Sequence, residues 1–411
     1  MAETLLRNIR TIYGLDEGRG FLKGREMSRT IEMHHAWLLM RNDEIADYGP
    51  METVPERAEK IIDAQNGLVL PAWCDSHTHL VFAAPREREY ADRIRGLSYE
   101  EIAANGGGIL HSARVLQETP EDELFQSAYS RLENVMALGT GAIEIKSGYG
   151  LSVESELKML RVIRRLKETG TALIKATFLG AHAVPAEYRE KRESYLRLIM
   201  EEMLPRIADE GLADYMDVFC DQGFFTVKET ERLLEAGARY GLAPKIHANE
   251  LANSGGVQVG IAHQAISVDH LEMTGPEEIK ALLQSKTIPT VLPSCSFFLR
   301  IPFAPARQMI DAGLGIAIAS DYNPGTSPSG NIPLLMAIAS HQMRLLPAEV
   351  FHAVTINGAC AMQANHQAGS IAPGKKANLI LTTDIPSLDY MVYAFGQNHI
   401  ARVWIAGKEM K

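Results

Sequence analysis

Leu68-Val69-Leu70-Pro71-Ala72-Trp73-Cys74-Asp75-Ser76-His77-Thr78-His79 is an apolar run that ends in a carboxylate and two imidazoles. Side chains two apart on an extended chain point the same way, so His77 and His79 can reach one metal ion. An isolated His-x-His is more often a pair of surface or hydrogen-bonded histidines. This pair stands at a strand end, and further metal-capable side chains stand at the ends of other strands. That context favours the metal.

Onward from this stretch, short apolar runs alternate with amphipathic segments, the mark of parallel βα units. The runs fall at residues 68–73, 142–146, 173–179, 216–220, 244–247, 265–269, 288–292 and 315–320. Eight of them in succession predict a (β/α)8 TIM-type barrel over residues 68–366. A doubly wound open sheet is the alternative, and the strand count favours the barrel. Between the runs, Val153, Leu157, Leu160, Ile163 and Leu166 form one helical stripe ending near Gly170. Thr226 with Glu229 and Thr274 with Glu277 have the spacing of capping boxes. Residues 1–67 and 367–411 carry short β-like runs punctuated by Gly, Asn and Asp, and predict a small β-sandwich built from both flanks. Gly369 and Ala372-Pro373-Gly374 mark the re-entry.

Barrels of this type place their chemistry at the C-terminal ends of the strands. Those ends read His77 and His79, Tyr149, His182, His247, His270 and Asp321. His77, His79, His247 and Asp321 make three imidazoles and a carboxylate, an N3O set suited to one divalent ion, Zn²⁺ or Fe²⁺. A water in an open position would have its pKa lowered towards about 7.

The net charge of −10 disfavours nucleic acid and anionic membranes as partners, although a local Arg can still receive an acidic substrate. Cys74, Cys220, Cys295 and Cys360 are scattered, as expected of free thiols in a reducing compartment. The first residues lack the apolar core of a signal peptide, and no run approaches a membrane span. The expectation is a cytoplasmic protein.

Asp75-Ser76-His77-Thr78-His79, His247, His270 and Asp321 together resemble the amidohydrolase superfamily. Longer segments narrow the resemblance to the branch that opens an imidazolone ring. They are Ser76 to Ala83, Arg86-Glu87, Gly106-Gly107-Gly108-Ile109, Ile145 to Leu151, Thr177 to Pro185 and Asp321 to Thr326. The similarity runs from about residue 66 to 375. It implies hydrolysis of 4-imidazolone-5-propanoate to N-formimidoyl-L-glutamate, the third step of histidine degradation, by a homodimer. The residues suit that substrate: Arg86 offers a fork for the propanoate, and Tyr149 and His182 add donors. Asn323, Gly325 and Thr326 supply amide, backbone and hydroxyl contacts, and the resemblance also points to Tyr99. Glu250, His270 and Asp321 are the catalytic candidates, and their spacing does not choose the general base among them. Lys175 is not read as a carboxylated bridge, so the site is expected to hold a single metal.

Two other readings compete. A ring aminohydrolase or another cyclic amidase would share the metal set without needing Arg86 in its surroundings. A catalytically silent binding paralogue would be free to lose ligands, yet every expected one is present.

Overall fold

The computed structural model describes residues 3–16, 18, 20–97, 101–102 and 107–410. Two eight-stranded sheets organise them. The strands of the first flank are β1 (Glu3–Tyr13), β2 (Glu32–Arg41), β3 (Glu44–Pro50), β4 (Lys60–Asp63) and β5 (Leu68–Pro71). The barrel consists of β6 (Trp73–Thr78), β7 (Thr140–Lys146), β8 (Leu173–Ala181), β9 (Tyr215–Cys220), β10 (Ala243–Ala248), β11 (Ser267–His270), β12 (Ile288–Val291) and β13 (Ala317–Ile318). The second flank adds β14 (Leu379–Thr382), β15 (Ile400–Ile405) and β16 (Lys408–Glu409).

Strands β6 to β13 pair in sequence order, all parallel. Every residue of β6, β7 and β9 is buried, as expected where helices cover one face and barrel interior the other. The ring closes between its first and last strands: His79 N–H donates to Tyr322 O at 2.9 Å and Asp321 N–H to His77 O at 2.9 Å. The closing bonds therefore run through the residues expected to bind metal.

Two strand readings change. Residues 68–73 are not one barrel strand: Leu68–Pro71 pairs with β1 and β14, and the barrel begins at Trp73. The switch occurs within one peptide, because Ala72 N–H donates to Asn378 O and Trp73 N–H to Gly139 O. Apolar continuity cannot tell which sheet receives a residue's hydrogen bonds. The eighth strand is also shorter than 315–320, since Ser320 N–H is taken by the Asp75 carboxylate at 2.8 Å.

The flanking strands join in one continuous sheet in the order β16-β15-β14-β5-β1-β2-β3, with β4 also on β1. Leu6, Ile9, Leu38, Met40, Val69, Leu379 and Trp404 give it a core of its own. The helix Val153–Glu168 buries the predicted stripe, with Leu157, Leu160, Ile163 and Leu166 fully covered. Thr226 and Glu229 form their capping box. At the other predicted box the cap moves one residue: Pro276 occupies the first turn, and Gly275 N–H donates to Glu278 at 2.9 Å.

Asn357, fully buried, ties the first flank to the barrel. Its amide accepts from Leu22 N–H at 2.9 Å and donates to Leu22 O and Ile316 O at 3.0 and 2.9 Å. Asn357→Ala strands these backbone groups and is expected to cost about 3 kcal/mol, read as a lower urea midpoint.

Candidate active site

Strand geometry brings the predicted residues together. His77 lies in β6 and His79 one position past it; His247 lies in β10, His270 ends β11, and Asp321 follows β13. All are at least 97% buried. His270, Asn249 and Asp321 adopt positive φ of 84°, 56° and 52°, a concentration of backbone strain at one rim of the barrel.

Each imidazole is oriented from behind. His77 Nδ1 lies 2.7 Å from Asp269 Oδ2, and His247 Nδ1 lies 3.0 Å from Asp217 Oδ2. A carboxylate only accepts, so both rings carry their proton on Nδ1 and turn the Nε2 lone pair into the barrel mouth. His77 Nε2 is buried with no hydrogen-bond partner. His247 Nε2 stands 3.4 Å from His79 Nε2, and Asp321 Oδ1 stands 3.6 Å from both His77 Nε2 and His79 Nε2. Burial, the Lys146 charge and the neighbouring rings hold His77 well below the usual histidine range, so it is neutral. Burial does the same for His79, together with His182 and His247. The Nε2 lone pairs of His77 and His247 and the Asp321 carboxylate converge as acceptors, an arrangement that a cation relieves. The donor set fits a divalent ion.

Beside this cluster stand Glu250 and His270. His270 Nε2 faces Glu250 Oε2 at 3.7 Å, and its Nδ1 faces Glu272 Oε2 at 3.6 Å. Burial opposes a charge on His270, but Glu250 and Glu272 outweigh it and raise its proton affinity. Burial pushes Glu250 up as well, against the pull of His270.

The remaining candidates sort into contacts and supports. His182 stacks on His79 with centroids 5.2 Å apart and directs Nδ1 at Gly148 O, 3.1 Å away; Tyr149 lies 5.4 Å from the His182 ring. Arg86 packs on Gly325, where a Cβ would fall 2.2 Å from its Nη1, so any larger residue there would push the guanidinium from its present seat. Its Nε and Nη2 are already held by Glu89 at 2.9 and 2.5 Å. The two-pronged edge expected to take a carboxylate is therefore engaged, and Nη1 is the group turned to the Asp321 loop. The Asn323 amide is likewise committed: Oδ1 accepts from Gly325 N–H and Thr326 N–H, and Nδ2 donates to Asp321 O and Thr326 Oγ1. It shapes the loop, and the Gly325 N–H is spent there too. Thr326 Oγ1 lies 3.3 Å from Asp321 Oδ2. Tyr99 lies outside the described residues.

Sequence reasoning missed the supports. Asp217 and Asp269 hold the two histidines; Glu89 holds Arg86 and accepts from Gly108 N–H at 3.0 Å. Glu156 gathers the N–H groups of Gly148, Gly150 and Leu151 at 3.0, 2.7 and 2.9 Å, fixing the loop that carries Tyr149. The available signal was a charged residue inside an otherwise apolar strand, as at Asp217, next to a rim histidine, as at Asp269, or in the apolar part of a helix, as at Glu156.

A (β/α)8 barrel with this rim of histidines and carboxylates has the architecture of an amidohydrolase, and residues 68–410 match the amidohydrolase family. An imidazolonepropionase of Christiangramia forsetii is 51% identical over 407 residues, covering 98% of this chain and 99% of that one. One of Flavobacterium johnsoniae is 52% identical over 407 residues, with the same coverage. The chain belongs to the amidohydrolase family and, within it, to the imidazolonepropionases. Among solved structures, an adenosine deaminase of Xanthomonas campestris with bound zinc superposes with a TM-score of 0.71 at 14% identity, over 99% of this chain and 92% of that one. An atrazine chlorohydrolase of Arthrobacter aurescens complexed with zinc gives 0.70 at 13%, over 99% and 94%. At such identities the likeness is one of fold.

Proposed function

We propose that this chain hydrolyses 4-imidazolone-5-propanoate to N-formimidoyl-L-glutamate, a step of histidine degradation. Relatives named imidazolonepropionase, about half identical over nearly the whole chain, support the reading. The structural observation that carries it is Arg86 lodged on Gly325, four residues beyond Asp321 in the same loop. A substrate with an amide to open and a carboxylate to hold needs both groups at one rim.

His77, His79, His247 and Asp321 would hold one divalent ion, zinc or iron. When bound it supplies Lewis acidity and lowers the pKa of a water towards about 7. Arg86 Nη1 anchors the propanoate, with Tyr149, His182, Thr326 and Tyr99 as further contacts. Asn323 holds the loop in shape. Glu250 takes the proton of the attacking water, whose oxygen bonds to the ring carbonyl carbon. His270 holds a proton at Nε2 and stabilises the charge growing on the carbonyl oxygen. The ring C–N bond then breaks as the hydroxyl of the tetrahedral adduct gives its proton, through Asp321, to the departing nitrogen. The same reading takes the protein to be a cytoplasmic homodimer; no helix among the described residues is long and apolar enough to cross a membrane.

Freshly generated 4-imidazolone-5-propanoate tests the reading: metal-loaded protein is expected to remove the ring absorbance rapidly. Loss no faster than spontaneous decay would sink it, and turnover of amino-substituted rings instead would favour an aminohydrolase. Arg86→Met is expected to remove a charged hydrogen bond worth ~1.5–3 kcal/mol, raising KM by about 10- to 100-fold. An imidazolone without the propanoate should not distinguish variant from wild type. Equal losses on both compounds would mean that Arg86 only supports the loop.

A further inference from the structure

Beneath the candidate metal centre the barrel encloses five ionisable side chains, all fully buried: Glu144, Lys146, Asp217, Lys245 and Asp269. The reaction uses none of them directly. Lys146 opens the Lys-Ser-Gly-Tyr-Gly segment, and Lys245 stands two residues before His247. Both ammonium groups bond Glu144, but their other partners differ. Lys245 Nζ donates to Ser76 O at 3.2 Å and to Glu144 Oε2. Lys146 Nζ bonds Glu144 Oε1 at 2.7 Å and Asp217 Oδ2 at 2.8 Å, and lies 3.6 Å from Asp269 Oδ2.

Those two aspartate oxygens are the ones that accept from the metal-facing histidines. Asp217 Oδ2 takes His247 Nδ1, and Asp269 Oδ2 takes His77 Nδ1. One ammonium group thus stands behind two arms, Lys146 to Asp217 to His247 and Lys146 to Asp269 to His77. The other oxygen of each aspartate is fixed locally, Asp217 Oδ1 by His247 N–H at 3.1 Å and Asp269 Oδ1 by Ser267 Oγ at 2.5 Å. Lys146 is the element common to both arms.

We propose that Lys146 is a positioning residue for the metal centre, clamping Asp217 and Asp269 so that His77 and His247 both present Nε2 to the same ion. Outer-shell partners of metal-binding histidines fix ring tautomer and orientation, and their loss costs about 10- to 100-fold in metal affinity. The inference rests on the metal reading above, and it reaches a residue that contacts neither substrate nor ion. Lys245 is the internal control. It is equally buried, shares Glu144 and belongs to the same network, yet neither aspartate is among its contacts given above.

The test compares Lys146→Met with Lys245→Met on two readouts. The first is zinc affinity, by competition with a chromophoric chelator. The second is the tautomer of His77 and His247 in metal-free protein, by ¹⁵N NMR of the imidazole nitrogens. Wild type and Lys245→Met are expected to keep both rings as Nδ1–H and to bind zinc within about threefold of each other. Lys146→Met is expected to show mixed tautomers and the 10- to 100-fold loss given above. Unchanged tautomers and affinity in Lys146→Met would overturn the proposal, as would equal losses in both variants, which would mark a merely structural network. If Lys146→Met does not fold, the comparison is made in a Glu144→Gln background, which removes one carboxylate along with the ammonium group. Wild type that binds no zinc would defeat the metal reading, while the tautomer comparison would still decide the part played by Lys146.

Discussion

His247→Ala is expected to abolish metal retention and to lower turnover of 4-imidazolone-5-propanoate by about a thousandfold, the rate equivalent of several kcal/mol of lost charge stabilisation. The reason lies in the convergence around its Nε2. That atom is 3.4 Å from His79 Nε2, and His247 donates twice to Asp217, from Nδ1, which fixes the ring, and from its backbone N–H. Alanine keeps the backbone bond and the β10 ladder while deleting one of three imidazoles. The fold should therefore survive, since the main barrel contacts of β10 are backbone ones. Metal content is read by atomic absorption after gel filtration, and turnover by the ring absorbance. A variant that retained one equivalent of metal would remove His247 from the ligand set. A variant that lost the metal yet kept its rate would remove the metal from the chemistry.

What the sequence disclosed, and what it hid, follows from how side chains report their surroundings. His77, His79, His247, His270 and Asp321 were legible because a period of two and the ends of apolar runs locate the barrel rim without knowledge of contacts. Arg86 was legible only through resemblance, since Arg86-Glu87-Arg88-Glu89 reads equally as a solvated charge run. In the structure Arg86 and Glu89, the two ends of that run, pair with each other away from solvent while Glu87 and Arg88 stay exposed. Asp217 and Asp269 were hidden for a different reason. Asp217 sits alone in a strand that otherwise reads as apolar core, Asp269 lies between Val268 and His270 in a strand of four residues, and what each orients lies on another strand, 30 and 192 residues away respectively. Glu144 and Lys146 alternate with Ile143 and Ile145, so the same period of two that finds the rim also marks an ionic layer below it. The boundary at residue 68 was misplaced because Leu68 to Trp73 is uniformly apolar, and hydropathy carries no record of sheet membership.

His270→Asn is expected to lower turnover by about 10²- to 10³-fold, within the range of acid–base and oxyanion stabilisation, with metal content nearly unchanged. His270 lies outside the N3O set and between two carboxylates, Glu250 at 3.7 Å from Nε2 and Glu272 at 3.6 Å from Nδ1. Glu272 is itself fixed, accepting from Ser296 Oγ at 3.0 Å, so it holds the ring in place. The balance of burial against these two carboxylates leaves the imidazole protonated, so Glu250, its own proton affinity raised by burial, is the member of the pair left free to accept a proton. Asparagine matches the ring's nearer polar position but cannot carry its charge. The loss should therefore appear mainly in kcat, because the charge on the carbonyl oxygen exists only on the way to the product. Glu250→Gln gives the complementary result, a fall in kcat with the imidazolium of His270 less strongly supported. If His270→Asn instead raised KM at constant kcat, His270 would be a substrate contact, and Glu250 and Asp321 would have to carry the proton transfers between them. If it stripped the metal, the ligand set would need a fourth histidine. A drop in kcat alone, with metal retained, identifies the pair of Glu250 and His270 as the centre of proton transfer.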